Sequence, residues 1–334
     1  MSTGFPGTLR TSPSIGRSNS NRNELSRCLP RLCVASAPKR LTRQTPPEAG
    51  TMRILIAGGQ GQLGRAVEAV LAGHDVWAPG HSELDVTDRK QVRDALERRQ
   101  PDMVIHAAAW TDTAGCEHDP ARAMRDNGEA PGWVADACRE SGATMVYISS
   151  NEVFDGEKRA SYVEDDTPNP INAYGRSKLE GELRVRAGLE RHCIVRTSWL
   201  YGAGRISFPE KILTAARERG ALRLVTDEVA SPTWTVDLAQ AIASLLRKKA
   251  FGVFHLTNAG SCSRKEWAEE VVRLAGEKVR VEPATQSEFG APFRKPQFSA
   301  LANVNAQRLG ITMRPWQEAL AEHMKAAVIQ GTRS

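Results

Sequence analysis

The sequence predicts an α/β fold, a doubly wound parallel sheet followed by a smaller C-terminal region. Three observations carry that expectation. Short apolar runs alternate with longer amphipathic ones from Met52 to about Leu200, the rhythm of parallel strands with helices on both faces. A glycine-rich turn follows the first apolar run. Two later runs, Met103-Val104-Ile105 and Met145-Val146-Tyr147-Ile148, are apolar throughout, as strands covered on both sides must be.

Taken in order, strands are expected at Ile54 to Ala57, Asp75 to Ala78, Met103 to Ala107, Thr144 to Ser149 and Cys193 to Thr197. Helical patterns lie between them at Gln62 to Leu71, Arg89 to Arg98, Ala121 to Ser141 and Tyr174 to Ala187. Beyond Leu200 the helical candidates are Phe208 to Arg219, Thr235 to Lys248, Arg264 to Ala275 and Trp316 to Ile329. Short strands at Leu222 to Val225 and Val253 to Leu256 interleave with them. The expected division is residues 52–200 as a dinucleotide-binding domain and 201–334 as mainly a substrate-binding region, with some segments returning to the sheet.

The 334 residues carry a formal net charge of +6, but the excess is local. Eight of the 45 basic and two of the 39 acidic residues fall in residues 1–51, leaving 37 of each from Met52 onward. The charge therefore argues for no nucleic-acid partner. Residues 1–51 are rich in Ser, Arg, Asn and Pro, lack an apolar period, and are expected to form a disordered basic extension. An organelle transit peptide fits them. So does upstream sequence translated from a start codon set too early, the favoured reading because Met52 directly precedes the first buried strand. No continuous apolar stretch suits a secretory signal or a membrane span. The six cysteines, Cys28, Cys33, Cys116, Cys138, Cys193 and Cys262, show no metal-ligand spacing, so no metal site is expected and a reducing, cytoplasmic setting is.

Two motifs carry chemistry. Ile54-Leu55-Ile56-Ala57 runs into Gly58-Gly59-Gln60-Gly61-Gln62-Leu63-Gly64, giving glycines at 58, 61 and 64 between a strand and a helix. Such a turn brings backbone against a pyrophosphate, and the helix N-terminus offers it free N–H groups. An NAD-preferring site usually places an acid about 20 residues on, at the end of the second strand. Here Pro79-Gly80-His81-Ser82 stands there, which favours NADPH over NADH, with His81 and Ser82 as candidate 2′-phosphate ligands and dual use open. The second motif is Tyr174-Gly175-Arg176-Ser177-Lys178. Positions i and i+4 share a helix face, so Tyr174 and Lys178 project together, and a nearby ammonium lowers a phenol's pKa. Upstream, Val146-Tyr147-Ile148-Ser149-Ser150 reads as a buried strand ending in a hydroxyl pair, at the strand end where ligands bind in open α/β sheets. Ser150 is the hydroxyl expected to stand beside Tyr174 at a substrate carbonyl.

From Met52 to about Met324 these stretches, in this order, resemble the dTDP-4-dehydrorhamnose reductase family of extended short-chain dehydrogenases, with a Rossmann-type sheet. Further matching segments are Glu83-Leu84-Asp85-Val86-Thr87-Asp88, Pro101-Asp102-Met103-Val104-Ile105-His106-Ala107-Ala108-Ala109-Trp110-Thr111, Val153-Phe154-Asp155-Gly156, Arg196-Thr197-Ser198-Trp199-Leu200-Tyr201-Gly202 and Ser231-Pro232-Thr233-Trp234. The resemblance implies pyrophosphate contacts at Gly58, Gly61, Gln62 and Leu63, adenine-end contacts at Asp85 and Val86, and a nicotinamide side lined by Ala109, Trp110 and Thr111. It implies Tyr174 as proton donor, Lys178 on the nicotinamide ribose, and Ser150 where the family usually has threonine. Asn151, Trp199 and Arg294 would meet the sugar nucleotide.

One departure stands out. Where the family commonly has threonine-aspartate-tyrosine, this chain has Ser150-Asn151-Glu152. Related nucleotide-sugar 4,6-dehydratases carry threonine-aspartate-glutamate there, so Glu152 points toward dehydratase chemistry and Asn151 against it. The implied activity is NAD(P)H-dependent reduction of the 4-keto group of a dTDP-6-deoxy-hexulose, dTDP-4-dehydrorhamnose to dTDP-L-rhamnose. The alternatives are an epimerase or dehydratase that recycles its cofactor, and a non-catalytic regulatory subunit like the methionine adenosyltransferase β-subunit. A homodimer is the assembly the resemblance allows.

Overall fold

In the structure, a computed structural model, residues 50–290 and 293–331 are described. The expected basic extension over 1–51, with Cys28 and Cys33, lies outside the described residues apart from Gly50 and Thr51. Strands β1 (Arg53–Ala57), β2 (Asp75–Trp77), β3 (Met103–His106), β4 (Thr144–Ser150) and β5 (His192–Thr197) form within two residues of their expected bounds. Helices α1 (Gln62–Val70) and α2 (Arg89–Arg99) also match, as does α6 (Ala173–Gly188), which follows α3 (Thr113–His118), α4 (Pro120–Ala123) and α5 (Ala130–Ser141). The later half contains β6 (Leu200–Tyr201), α7 (Phe208–Glu218), β7 (Ala221–Val225), β8 (Val229–Ala230), β9 (Thr233–Trp234), α8 (Thr235–Arg247) and β10 (Gly252–His255). It closes with β11 (Cys262–Ser263), α9 (Arg264–Ala275), β12 (Arg280–Ala284), α10 (Val304–Arg308) and α11 (Trp316–Gly331).

One parallel sheet organises these elements in the order β2-β1-β3-β4-β5-β10. Alternate side chains serve its two faces. Ile54, Ile56, Ile105, Val146 and Val195 pack toward α1 and α8. Leu55, Val104, Met145, Tyr147 and Ile194 pack toward α2, α5 and α6. The chain leaves β1 for β2 on one side and returns to place β3 on the other. Such a reversal leaves a crevice at the strands' carboxyl ends, where α/β sheets bind ligands. A separate apolar core, centred on Tyr201, Trp267, Val271 and Leu320, holds α7, α9 and α11 together. Among the described residues no helix is long and apolar enough to cross a membrane.

The expected single helix over 121–141 is interrupted. Met124–Glu129 forms a π-helical turn between α4 and α5. Pro131 supplies a local cause. It has no N–H to return to the carbonyl four residues back, and its ring crowds that carbonyl. The carbonyl belongs to Asn127, and it accepts instead from the Tyr147 hydroxyl at 3.1 Å.

Candidate active site

The glycine turn forms one end of a cleft of about 530 Å³ at the carboxyl ends of the strands. A Cβ on Gly59 would stand 2.5 Å from the Ala78 carbonyl, and one on Gly64 would stand 2.4 Å from the Gly58 oxygen. Both neighbours are backbone, so the close β1–β2–α1 approach requires glycine at each position. Gly58 has a φ of 80°, in the left-handed region. Gly61 is the N-cap of α1 and carries no capping side chain, and no acid lies in the first turn. The orphan N–H groups at this helix start therefore remain available to an anion. This uncapped end, in a turn with no room for side chains, fits a dinucleotide pyrophosphate.

Not every expected contact lies in the cleft. Leu63 is at its edge but is 6% exposed and packs in the core. The Gln62 side-chain amide donates to the carbonyls of Gly202 (2.8 Å) and Arg205 (3.1 Å), tying α1 to the loop after β6. Asp85 accepts from the Thr87 amide and hydroxyl at 2.8 and 2.7 Å, and Val86 is buried among core residues. Both lie outside the cleft lining. His81 is exposed and 3.9 Å from Asp85. An acid does stand near the end of β2, but Glu83 accepts from the Gly80 amide at 2.9 Å and closes that turn.

Ser150, Tyr174 and Lys178 converge on the same cleft. Asn172 starts α6 by accepting from the Gly175 amide at 2.8 Å, a side-chain cap that satisfies one of the helix's free donors. Its amide group donates to Glu152 at 2.8 Å, fixing the turn after β4 to the start of α6. Ser150 accepts from the Glu152 amide at 3.1 Å, donates to Asn151 Oδ1 at 3.3 Å, and lines the cleft with Tyr174. Asn151 lines the cleft, with its amide donating to Ser299 at 2.7 Å. Burial pushes the Glu152 carboxyl up, against the opposing hydrogen bond from Asn172.

The protonation of the Tyr174–Lys178 pair differs from the expectation that the ammonium lowers the phenol. Burial holds the Tyr174 hydroxyl well above its ordinary range, with the charge of Glu152 adding and the Ser150 hydrogen bond opposing. Burial pushes Lys178 down to about 7, opposed by Glu182. Its Nζ donates to the Ile148 carbonyl at 2.8 Å and stands 4.2 Å over the Tyr147 ring. Desolvation disfavours whichever form is charged, so one burial raises the phenol and lowers the amine. His106, fully buried nearby, is pushed down to about 3 by burial and by Lys178.

On the far wall, Trp199 adopts a φ of 44°, a left-handed conformation that is strained for a bulky residue. Arg264 lies 3.6 Å over its ring, and Trp267 stacks on it at 5.5 Å and 8°. Arg264 is in turn held by Glu228 through Nε (3.0 Å) and Nη2 (2.8 Å). Arg294 lies outside the lining, exposed, and 4.0 Å from Glu157.

Asn127, which sequence reasoning missed, holds the segment over 109–111 that is expected to line the nicotinamide side. Its Oδ1 accepts from the Trp110 amide at 2.8 Å, and its Nδ2 donates to the Trp110 carbonyl (2.9 Å) and to Ser177 (3.2 Å). Trp110 thus lies outside the lining while its backbone sets Ala109 and Thr111, which line it. The available signal was Pro131 inside a helical pattern. Among the described residues no group of three His, Cys, Asp or Glu is placed to hold a metal ion.

Residues 52–329 match the family model described as the RmlD substrate binding domain. The chain is 37% identical over 277 residues to the dTDP-4-keto-6-deoxy-D-glucose reductase of Streptomyces niveus, covering 81% of this chain and 96% of the relative. It is 36% identical over 284 residues to the dTDP-4-dehydrorhamnose reductase of Streptomyces griseus, covering 82% and 93%. Among solved structures it resembles the Bacillus anthracis dTDP-4-dehydrorhamnose reductase in complex with NADP. The TM-score is 0.81 at 34% identity, over 83% of this chain and 99% of that one.

Proposed function

The chain belongs to the dTDP-4-dehydrorhamnose reductase family, that of the RmlD substrate binding domain, and from that membership we propose that it reduces the 4-keto group of a dTDP-linked 6-deoxyhexose with NADPH. The product of the reaction on dTDP-4-dehydrorhamnose is dTDP-L-rhamnose. NADPH supplies the hydride when bound. The observation that carries the reading is the convergence of Ser150, Tyr174 and Lys178 on the cleft that the uncapped start of α1 enters.

The chain's own residues supply the rest. Reduction makes an alkoxide from the ketone and requires an acid that still holds its proton. Tyr174, kept a neutral phenol by its burial, is suited to donate from its hydroxyl to that oxygen. Ser150 stands beside Tyr174 as a second donor to the developing charge. Lys178 supplies an ammonium to the ribose side of the cofactor site. The N–H groups at Gln62 and Leu63 receive the pyrophosphate, with the bare backbone of Gly61 beside it. Ala109 and Thr111, set by Asn127, line the nicotinamide side, while Trp199 packs against the sugar. Asp85 and Val86 support the adenine end from outside the cleft, and Arg294, also outside the lining, is assigned to the nucleotide by the family resemblance. Residues 52–200 are assigned to the dinucleotide and 201–334 mainly to the sugar nucleotide. A cytoplasmic homodimer is the proposed working form.

The test is NADPH oxidation by residues 52–334 with dTDP-4-dehydrorhamnose generated in place. Stoichiometric oxidation to dTDP-L-rhamnose is expected. Absence of oxidation by folded protein that binds NADPH overturns the proposal.

A further inference from the structure

A second acid lies buried under the cleft on the same helix as the Tyr174–Lys178 pair. Glu182 follows Lys178 by four residues, one turn along the same face of α6. It is 1% exposed, and so is isolated from solvent screening. Arg196 of β5 meets it with two parallel hydrogen bonds, Nε to Oε1 at 2.9 Å and Nη2 to Oε2 at 2.7 Å. Ser149 donates to Oε1 at 2.5 Å. Burying such a pair is costly, and well-packed apolar residues of similar volume would hold the fold at least as well. Fold stability alone therefore does not account for it. The three residues sit on three elements of the cleft: Ser149 adjoins Ser150, Arg196 adjoins the Thr197–Trp199 turn, and Glu182 shares α6 with Tyr174 and Lys178.

We propose that Glu182, fixed by Arg196 and Ser149, is a positioning residue that keeps Lys178 in its ammonium form at the cleft. The inference rests on the reductase reading for the role of Lys178. The groups that face Lys178 come from every neighbouring element: His106 from β3, the Tyr147 ring and Ile148 carbonyl from β4, Tyr174 and Glu182 from α6, with Arg196 of β5 behind Glu182. Glu152 faces Tyr174 from the turn after β4. Burial keeps His106 neutral and both phenols protonated. Glu182 is the carboxylate that opposes the desolvation of Lys178. Arg196 holds that carboxylate in place through its two hydrogen bonds. Without this pair Lys178 loses its proton at lower pH.

The decisive variant is E182M/R196M, which removes both charges at nearly constant volume. Circular dichroism and thermal unfolding establish its fold. The expected result is a folded protein whose alkaline limb of kcat moves to lower pH, with KM for the keto sugar little changed and activity recovering as pH is lowered. A purely structural pair predicts unchanged pH dependence in the folded variant, and that result overturns the inference. Should E182M/R196M not fold, E182Q/R196Q keeps hydrogen-bonding groups at both positions and is read in the same way. Trace acylation of Lys178 across pH, quantified by mass spectrometry, reads the same proton without turnover. If the wild type turns over no keto sugar, the reductase reading fails. The labelling midpoint still decides this inference: a lower midpoint in the variant supports it, and an equal midpoint overturns it.

Discussion

Replacing Asn127 with alanine removes the side chain that holds the Trp110 backbone. The Trp110 N–H loses its partner at 2.8 Å, the Trp110 carbonyl loses its stronger donor at 2.9 Å and keeps only the Cys116 thiol at 3.6 Å, and Ser177 loses a donor at 3.2 Å. A buried polar group left unpaired costs about 1 to 3 kcal/mol. Trp110 is half-buried, so the lower part of that range applies to each of its two groups. The loss is about 3 kcal/mol in all, or roughly 6 to 12 °C in Tm for a domain of this size. Asn127→Asp keeps an acceptor for the Trp110 N–H but sets a fully buried carboxylate against the Trp110 carbonyl, and should be at least as destabilising as alanine. Because Ala109 and Thr111 flank the freed residue, NADPH affinity should fall about tenfold, a misplacement effect of modest size. Thermal unfolding and NADPH fluorescence titration measure the two quantities. A Tm within about 2 °C of wild type, the range of an ordinary surface substitution, together with unchanged NADPH affinity, would refute the reasoning.

Three further outcomes are expected. Tyr174→Phe should lower kcat about 10² to 10⁴-fold and retain NADPH binding, as measured by turnover and fluorescence titration; near-normal turnover removes Tyr174 from its role. Gly64→Ala places a Cβ 2.4 Å from the Gly58 oxygen and 2.5 Å from the Gly59 oxygen, so the turn must shift and NADPH affinity should drop at least about tenfold. Lys178→Met should stabilise the cofactor-free fold while abolishing turnover. Folded Lys178 sits at about 7 against its ordinary 10.5, so the unfolded chain binds more protons between those values. Wild-type stability therefore rises with pH through that window, and the full penalty applies below it. The variant should gain about 1 to 2 kcal/mol at neutral pH, in the range of other stabilising substitutions, and lose that rise; an unchanged slope of stability against pH contradicts it.

Much of the site was legible because its signals are short-range. The glycine turn and YxxxK each occupy seven residues or fewer, and a strand or helix carries them as a unit. A helical period runs through the π-helical turn, Pro131 is its one local signal, and the pairing of the Tyr147 hydroxyl with the Asn127 carbonyl, 20 residues away, completes the break. The Gln62 side chain reaches Gly202, 140 residues on. No local pattern encodes such a contact.

By itself, the sequence determined the six strands of the main sheet and most of the helices, the glycine turn and the placement of Tyr174 beside Lys178 on one helix face. Alternating polarity and fixed i, i+4 geometry act within a few residues, so these features follow from the chain alone. The tertiary structure decided the sheet order, the joining of β10 to β5, the Glu182–Arg196 pair and the protonation of Tyr174 and Lys178. Those depend on which distant segments exclude water from a group and which charges replace it, and burial exists only once the chain has packed.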